Sequence, residues 1–296
     1  MFDWAMDHLP VKKWSAKDCR RAFIVPTSLD HKYSRGVIGM VTGSVQYPGA
    51  AVLSTHAAMA TGVGMVRFIS LNESWNWQPL RFLDQLVLAR SPEVVTHPGK
   101  VSAWLLGSGV PSKGMGGFTT RLRHRDFNKA RRQSVPMVLD AGALYLAGTF
   151  NQPTLITPHV GELSDLLNSR GTSVTSSAIE GDPRKWAQMA AQILKVSVLL
   201  KGSITYLADE AQVIELPEAT AWLATAGTGD VLAGVIGALV ATNSVAITSG
   251  DISILEVGAT GAMIHAEAAE LSSAGGPLTA MRITDSIPFV VRKMLP

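Results

Sequence analysis

The stretch LATAGTGDVLAGVIGALVA, residues 223–241, sets one carboxylate, Asp230, between a run of small residues and a long apolar segment. Apolar residues on all sides read as a buried helix. Asp230 falls in its first turn, where the positive end of the helix dipole favours a carboxylate. Gly227 and Gly229 leave the backbone free to turn tightly and expose its N–H groups. Consecutive amides at such a helix start, here Ala226, Gly227, Thr228 and Gly229, form an anion hole suited to phosphate oxygens. A carboxylate beside them can orient a hydroxyl, or take its proton, as it attacks phosphorus. The plainer alternative is that Asp230 only complements the dipole, worth about 0.3–1 kcal/mol. The small flanking residues, which let a ligand reach the backbone, favour the site.

Outward from this stretch, short apolar runs alternate with helix-length segments. VIGMVTG (37–43) and MVRFIS (65–70) read as strands around a small-residue helix in GAAVLSTHAAMATG (49–62). VSAWLLG (101–107), VPMVLDA (135–141), PTLITPH (153–159) and VSVLLKG (196–202) are further strand-length runs. Near-continuous apolar strands separated by helices predict a mainly parallel sheet covered on both faces. ITYLAD (204–209) and AQVIEL (211–216) predict an antiparallel hairpin, and helices over 229–241, about 252–271 and 285–294 are expected to close the molecule. Ligands of such sheets bind beyond the carboxyl ends of the strands. Ser44, Gly107 to Gly109, Asp140, His159 with Glu162, Lys201 and Asp230 all fall at strand ends or helix starts, and are expected to converge on one rim.

The chain has 296 residues, 47% of them hydrophobic, and a mean hydropathy of +0.20. That suits one large α/β domain or two small ones. A net charge of +3 is no nucleic-acid signature, which needs a concentrated basic face. RLRHRDFNKARR (121–132), the densest basic run, predicts the solvated face of a helix, with a phosphate-steering surface as the alternative. The single cysteine, Cys19, excludes a disulfide within this chain and argues against a cysteine-built metal site, which fits a reducing cytoplasm. Its charged setting, KDCRR, argues against a nucleophilic role. MFDWAMDHLPVKKW (1–14) has acidic residues and no apolar core, so it is not read as a signal peptide. VLAGVIGALVA (231–241) falls short of the roughly 20 residues of a membrane span, and no membrane partner is expected.

Several common motifs are missing: GxxxxGK[ST], GxGxxG after a strand, GxSxG and HExxH. TGVGMV (61–66) lacks the third glycine of a dinucleotide fingerprint. His56 and His265 lie in helical patterns and are expected as packing or surface residues. His159 differs, since it follows a strand and precedes GE at a helix start, where a ligand contact is expected.

GTGD at the start of an apolar helix, after a predominantly parallel α/β array, is similar to the ribokinase-like superfamily. The ordered set YPGAA (47–51), LDAGAL (139–144), TPHVGEL (157–163), KGSIT (201–205) and TAGTGDVLAG (225–234) narrows the match. With the closing IHAEAAE (264–270) and TAMRITDSIP (279–288), it resembles the bacterial ADP-dependent NAD(P)H-hydrate dehydratases over about residues 31–295. The expected architecture is α/β: a ribokinase-like three-layer sandwich over residues 31–296, with a mainly parallel central sheet flanked by helices, behind an N-terminal extension of residues 1–30.

The resemblance implies conversion of the S form of hydrated NADH or NADPH, NAD(P)HX, back to NAD(P)H, consuming ADP (ATP in eukaryotic relatives) with Mg2+. Hydroxide leaves poorly and phosphate leaves well, so phosphorylating the hydrate's hydroxyl lets the ring nitrogen's electrons expel it. By resemblance, Asp230 engages that hydroxyl as base, and the amides of Ala226, Gly227, Thr228 and Gly229 hold the phosphoryl group in transfer. Lys201, Gly202, Ser203, Ile204 and Thr205 match the nucleotide-binding segment, with Gly229 also at the nucleotide. Ala50, Gly109 and His159 match positions lining the hydrated-cofactor pocket. The sequence departs from the family pattern in DAGALY, where Gly142 and Tyr145 replace polar residues and leave Asp140 an auxiliary role. LGSGV stands for a GPGLG-type turn around Gly109, and Val160 for a proline. A homotetramer is implied, and epimerisation is expected to need another protein. Two rival readings use the same residues: a small-molecule kinase of the superfamily, with Asp230 and the same anion hole, and a nucleotide-binding regulator without turnover.

Overall fold

The computed structural model describes residues 9–70 and 78–295. Its strands are β1 (Val11–Lys13), β2 (Val37–Val41), β3 (Met65–Phe68), β4 (Ala103–Leu106), β5 (Met137–Leu139), β6 (Thr154–Ile156), β7 (Ser197–Leu200), β8 (Tyr206–Ala208) and β9 (Val213–Glu215). Among the described residues these form one nine-stranded sheet in the order β1-β9-β8-β7-β6-β5-β4-β2-β3. Every pairing is parallel except those of β8 with β7 and with β9, so the antiparallel hairpin stands where its sequence predicts it.

The helices are α1 (Ala16–Cys19), α2 (Pro48–Thr61), α3 (Gln78–Arg90), α4 (Phe118–Ala130), α5 (Val160–Ser169), α6 (Ser176–Gly181), α7 (Pro183–Leu194), α8 (Thr228–Thr242), α9 (Ser244–Ser249), α10 (Ile254–Ser273) and α11 (Ala280–Met294). Strand side chains alternate between two apolar cores, as the two-residue period requires. Along β4, Ala103 and Leu105 join α2, α8, α10 and α11, while Trp104 and Leu106 join α4, α5 and α7. Three layers follow, as expected of a ribokinase-like sandwich.

The helix of the opening sequence stretch is the axis of one layer. In α8 every residue from Val231 to Ala241 is buried, against α2 and α10 on its flanks and β2, β4 and β5 beneath. Small residues make this possible. A methyl group at Gly234 would overlap the carbonyl oxygen of Ser54 in α2, so the two helices approach backbone to backbone. α10 starts with a capping box, Ser253 Oγ accepting from the Glu256 amide while Glu256 accepts from the Ser253 amide.

Three expectations need revision. Residues 9–30 of the expected extension are built into the domain: β1 adds to the sheet edge parallel to β9, and Trp14, Cys19 and Ala22 enter the core. Burial pushes the Cys19 thiol pKa up, away from the thiolate a nucleophile needs. The last helix begins at Ala280, ahead of the expected start at 285, and runs through Pro288. Burial of Ala280, Ile283, Ile287, Val290 and Met294 along one stripe overrides the hydrogen bond that proline removes.

The third revision concerns α4. Its sequence predicts a solvated basic face, yet Arg123, His124 and Asp126 are buried and Arg123 is 0% exposed. Arg123 donates from Nε to the Gly43 carbonyl oxygen at 3.1 Å and from its guanidinium to the carbonyls of Thr42, Ile69 and Ser70. A guanidinium carries five donors and no acceptor, so a cluster of strand-end carbonyls satisfies it where an apolar residue would leave them orphaned.

Candidate active site

β2 lies between β3 and β4, so the chain adds strands first to one side of it and then to the other. The carboxyl ends of β2 and β4 thus form a topological switch point, the place where open α/β sheets bind ligands. There the Gly43 amide donates to the Ser108 carbonyl at 2.7 Å. Gly109 has φ +64, and a side chain on it would collide with the Ala50 methyl and the Tyr47 carbonyl. Ala50 and Gly109, singled out separately in the sequence, therefore touch, and the small size of each is what lets the loops close together.

At the centre of the rim stands a charged cluster. Lys201 follows β7, and its Nζ lies 3.1 Å from Asp140 Oδ1 and 3.6 Å from Glu162 Oε2. Asp140, after β5, is nearly fully buried and also accepts from Ser108 Oγ at 2.8 Å and from Thr157 Oγ1 at 2.9 Å. These donors satisfy oxygens that burial cuts off from water. Asp140 anchors Lys201. Burial pulls the Lys201 ammonium down, but Asp140 and Glu162 outweigh it, and the pKa stands above that of a free lysine. His159 and Lys201 are bridged main chain to main chain. The His159 side chain is mostly exposed and caps α5, Nδ1 accepting from the Glu162 amide at 3.3 Å while Glu162 accepts from the His159 amide at 2.9 Å.

α8 starts against this cluster. Gly227 precedes it at φ +89, where a side chain would strike Leu53 and Ala280. No side chain caps the helix start, which leaves first-turn amides directed outward. A methyl group at Gly229 would lie 3.8 Å from Lys201 Nζ, so ammonium and amides face the same space. Asp230, in the same turn, is pushed up to about 7 by burial and by the Asp140 charge, against the opposing pull of Lys201. A carboxylate with that pKa is half-protonated near neutral pH, the condition that suits a general base.

Beside these groups opens a cavity of about 500 Å³, of small-ligand size. Lys201, Gly202, Ser203, Thr205, Thr228 and Gly229 line it, as does the 216–221 segment after β9. Of the expected nucleotide segment, Ile204 is not among the lining residues, and neither are Ala226 and Gly227 of the expected anion hole. His265 lines the same cavity and is 6% exposed, with its Nε2 buried and unpartnered. Burial lowers its pKa to about 4, which keeps the ring neutral. Helical spacing in IHAEAAE marks it as a packing residue; only the tertiary approach of α10 to the start of α8 reveals its second setting. The 216–221 wall carries no motif and could not be found from sequence.

Among the described residues, no group of three or more His, Cys, Asp or Glu is placed to hold a metal ion alone. Asp140, Glu162 and Asp230 surround Lys201. That donor set fits an ion taking most of its ligands from phosphate and water, the habit of Mg2+.

A model of the NAD(P)H-hydrate dehydratase family matches residues 38–288. The chain is 36% identical over 249 residues to the bifunctional NAD(P)H-hydrate repair enzyme of Mycobacterium tuberculosis, an alignment covering 79% of this chain and 47% of that protein. It spans about half the length of such bifunctional relatives. It is also 30% identical over 259 residues to the ADP-dependent (S)-NAD(P)H-hydrate dehydratase of Neisseria meningitidis, covering 81% and 78% of the two chains. In fold it resembles the ADP/ATP-dependent NAD(P)H-hydrate dehydratase of Bacillus subtilis co-crystallised with ATP/Mg2+, with a TM-score of 0.77, 23% identity and coverage of 98% of this chain and 100% of that one. With its glycine-led helix start, its rim of polar strand ends and a match spanning most of its length, the chain belongs to the NAD(P)H-hydrate dehydratase family.

Proposed function

We propose that this protein dehydrates the S form of hydrated NADH or NADPH to the intact cofactor at the expense of ADP, releasing AMP and phosphate. The observation that carries the reading is the placement of Asp230, its pKa near 7, in the helix turn whose amides and Lys201 face a nucleotide-sized cavity. ADP occupies that cavity, its terminal phosphate toward Lys201 and the amides of Thr228 and Gly229. The hydrated nicotinamide ring enters over Ala50 and Gly109, with His159 at the edge. Asp230 takes the proton of the ring hydroxyl as its oxygen attacks the terminal phosphorus, and the bond to AMP breaks. The ring nitrogen's electron pair then expels phosphate, and loss of a proton from the adjacent ring carbon restores the double bond. Asp140, Glu162 or Asp230, the carboxylates around Lys201, would help hold an Mg2+ ion, which would supply charge neutralisation at the phosphates. The anion-hole role of Ala226 and Gly227 is to shape the turn that aims the following amides.

ADP rather than ATP as the working nucleotide, an assembly of four copies and a cytoplasmic location belong to the same proposal, supported by the family resemblance. Among the described residues no helix is long and apolar enough to cross a membrane. The test is to incubate hydrated NADH with Mg2+ and either ADP or ATP, following recovery of the NADH absorbance band. Recovery with stoichiometric AMP and phosphate from ADP supports the proposal. Nucleotide consumption only with some other alcohol makes the protein a kinase, and binding without turnover makes it a regulator.

A further inference from the structure

A second cavity, of about 400 Å³, opens on the opposite side of the rim from α8. α4 presents Arg121 and Arg125 one turn apart on its exposed side, with Asn128 a turn further on. Lys113 reaches in from the loop after β4, its Nζ 5.2 Å from the centre of the Tyr145 ring. These residues line the cavity with His124 and Tyr145, and no acid lines it. Like charges at i and i+4 repel, and the amino end of a helix is already electropositive. Among the described residues neither Lys113, Arg121 nor Arg125 forms an ion pair. Three cations thus face one hollow whose lining holds no carboxylate.

The hollow is tied to the active site through one histidine. His124 Nε2 lies 3.0 Å from the Pro111 carbonyl and Nδ1 3.3 Å from the Tyr145 hydroxyl. Since a carbonyl only accepts, Nε2 carries the proton and Nδ1 accepts from the tyrosine. Burial lowers the His124 pKa, in keeping with this neutral form. Pro111 is two residues beyond Gly109, so no more than about 7 Å of chain separates the hollow's wall from the cofactor-side loop. α8 belongs to one helical layer and α4 to the other. A ligand reaching both Asp230 and Arg121 must be extended, crossing the rim over Gly109.

We infer that Lys113, Arg121 and Arg125 form a phosphate-monoester subsite that takes the 2′-phosphate on the adenosine ribose of the NADPH form of the substrate. This rests on the dehydratase reading, in which the nicotinamide end lies at Asp230 and the adenosine end is the remote one. A guanidinium pair offers forked donors that match phosphate oxygens, and a dianionic monoester is the strongest partner such a pair can meet. The pyrophosphate, common to NADH and NADPH forms, lies between the two ends and nearer the reacting ring. Tyr145, a departure from the family's usual residue, forms the hollow's wall together with Lys113.

The test uses the stable oxidised cofactors as probes. NADP+ and NAD+ are titrated calorimetrically into the wild-type protein and an Arg121→Gln/Arg125→Gln variant, with ADP affinity and thermal unfolding as controls. The wild type is expected to bind NADP+ at least about tenfold more tightly than NAD+, the worth of one or more charge-assisted hydrogen bonds. The variant should lose that preference while ADP affinity and unfolding temperature stay unchanged. Equal wild-type affinities, no binding of either cofactor, a preference that survives the double substitution, or equal weakening of both cofactors each overturn the assignment. Should the wild type leave both hydrated cofactors untouched in the presence of ADP and Mg2+, the dehydratase reading fails by itself. The NADP+/NAD+ ratio still decides the subsite.

Discussion

Replacing Asp230 by Asn should stabilise the protein while cutting turnover by orders of magnitude, and the stabilisation should depend on pH in a defined way. In the native state the Asp230 carboxyl stands at about 7 against its ordinary 3.8. At 1.36 kcal/mol per unit the difference of roughly three units corresponds to about 4 kcal/mol. Partial exposure to water reduces this, to about 2 kcal/mol if half is screened. Losing a first-turn charge at the helix start subtracts a further 0.3–1 kcal/mol, roughly. The net gain is therefore about 1–2 kcal/mol. Its sign follows from proton counting. Between pH 4 and 7 the unfolded chain has released this proton and the native state still holds it, so wild-type stability falls across that window as pH rises. Above pH 7 both states are charged and the loss is constant; below pH 4 both are neutral and the loss vanishes. The Asn variant has no such proton. Thermal unfolding of both proteins without nucleotide, from pH 4 to 8.5, should show the variant about 2–6 °C more stable at pH 8, with the gap closing toward pH 4. Turnover in the repair assay should fall by about 10²–10⁴, and wild-type kcat/KM should decline below pH 7. A variant no more stable than wild type at pH 8, or a gap independent of pH, would refute the account of Asp230.

Lys201→Ala leaves Asp140 buried without its cation, so stability should drop by about 1–3 kcal/mol in denaturant titration. KM for ADP should rise more than KM for the hydrate, and the acid limb of kcat/KM should move to higher pH because Lys201 no longer lowers the Asp230 pKa. Gly229→Ala has room in the fold, its methyl 3.8 Å from Lys201 Nζ; it should raise KM for ADP about tenfold or more by crowding the phosphate while leaving the unfolding temperature within about 1 °C. Arg123→Met strips the strand-end carbonyls of Thr42, Gly43, Ile69 and Ser70 of their donor, which should cost about 3 kcal/mol or more in unfolding free energy.

The sheet, the antiparallel hairpin and the central helix were legible because their patterns are local: apolar runs of strand length, glycine-led helix starts and a fully apolar segment after Asp230. The convergence of Lys201 with Asp140 was partly legible, since both close predicted strands. What pairs with what depends on strand order, which a linear reading does not contain. Arg123 shows the limit most clearly. In a run with Arg121, Arg125, Arg131 and Arg132 nothing in composition marks one arginine as buried. Its position follows from the face of α4 that happens to cover the ends of β2 and β3. His265 fails for a related reason, because helical periodicity reports burial and says nothing about a neighbouring ligand cavity. The edge strand β1 is three residues long, too short for a two-residue alternation to stand out.

α8 is clad in hydrocarbon along its whole buried length and bears Asp230 at one tip, like a stylus held in a sleeve. Small misfits a turn down the sleeve, such as a methyl at Gly234 against Ser54, would tilt the tip. A random screen for inactive clones should therefore harvest helix-contact substitutions as readily as ones at the phosphate. Suppressors restoring activity should map to α2, the opposite wall of that sleeve.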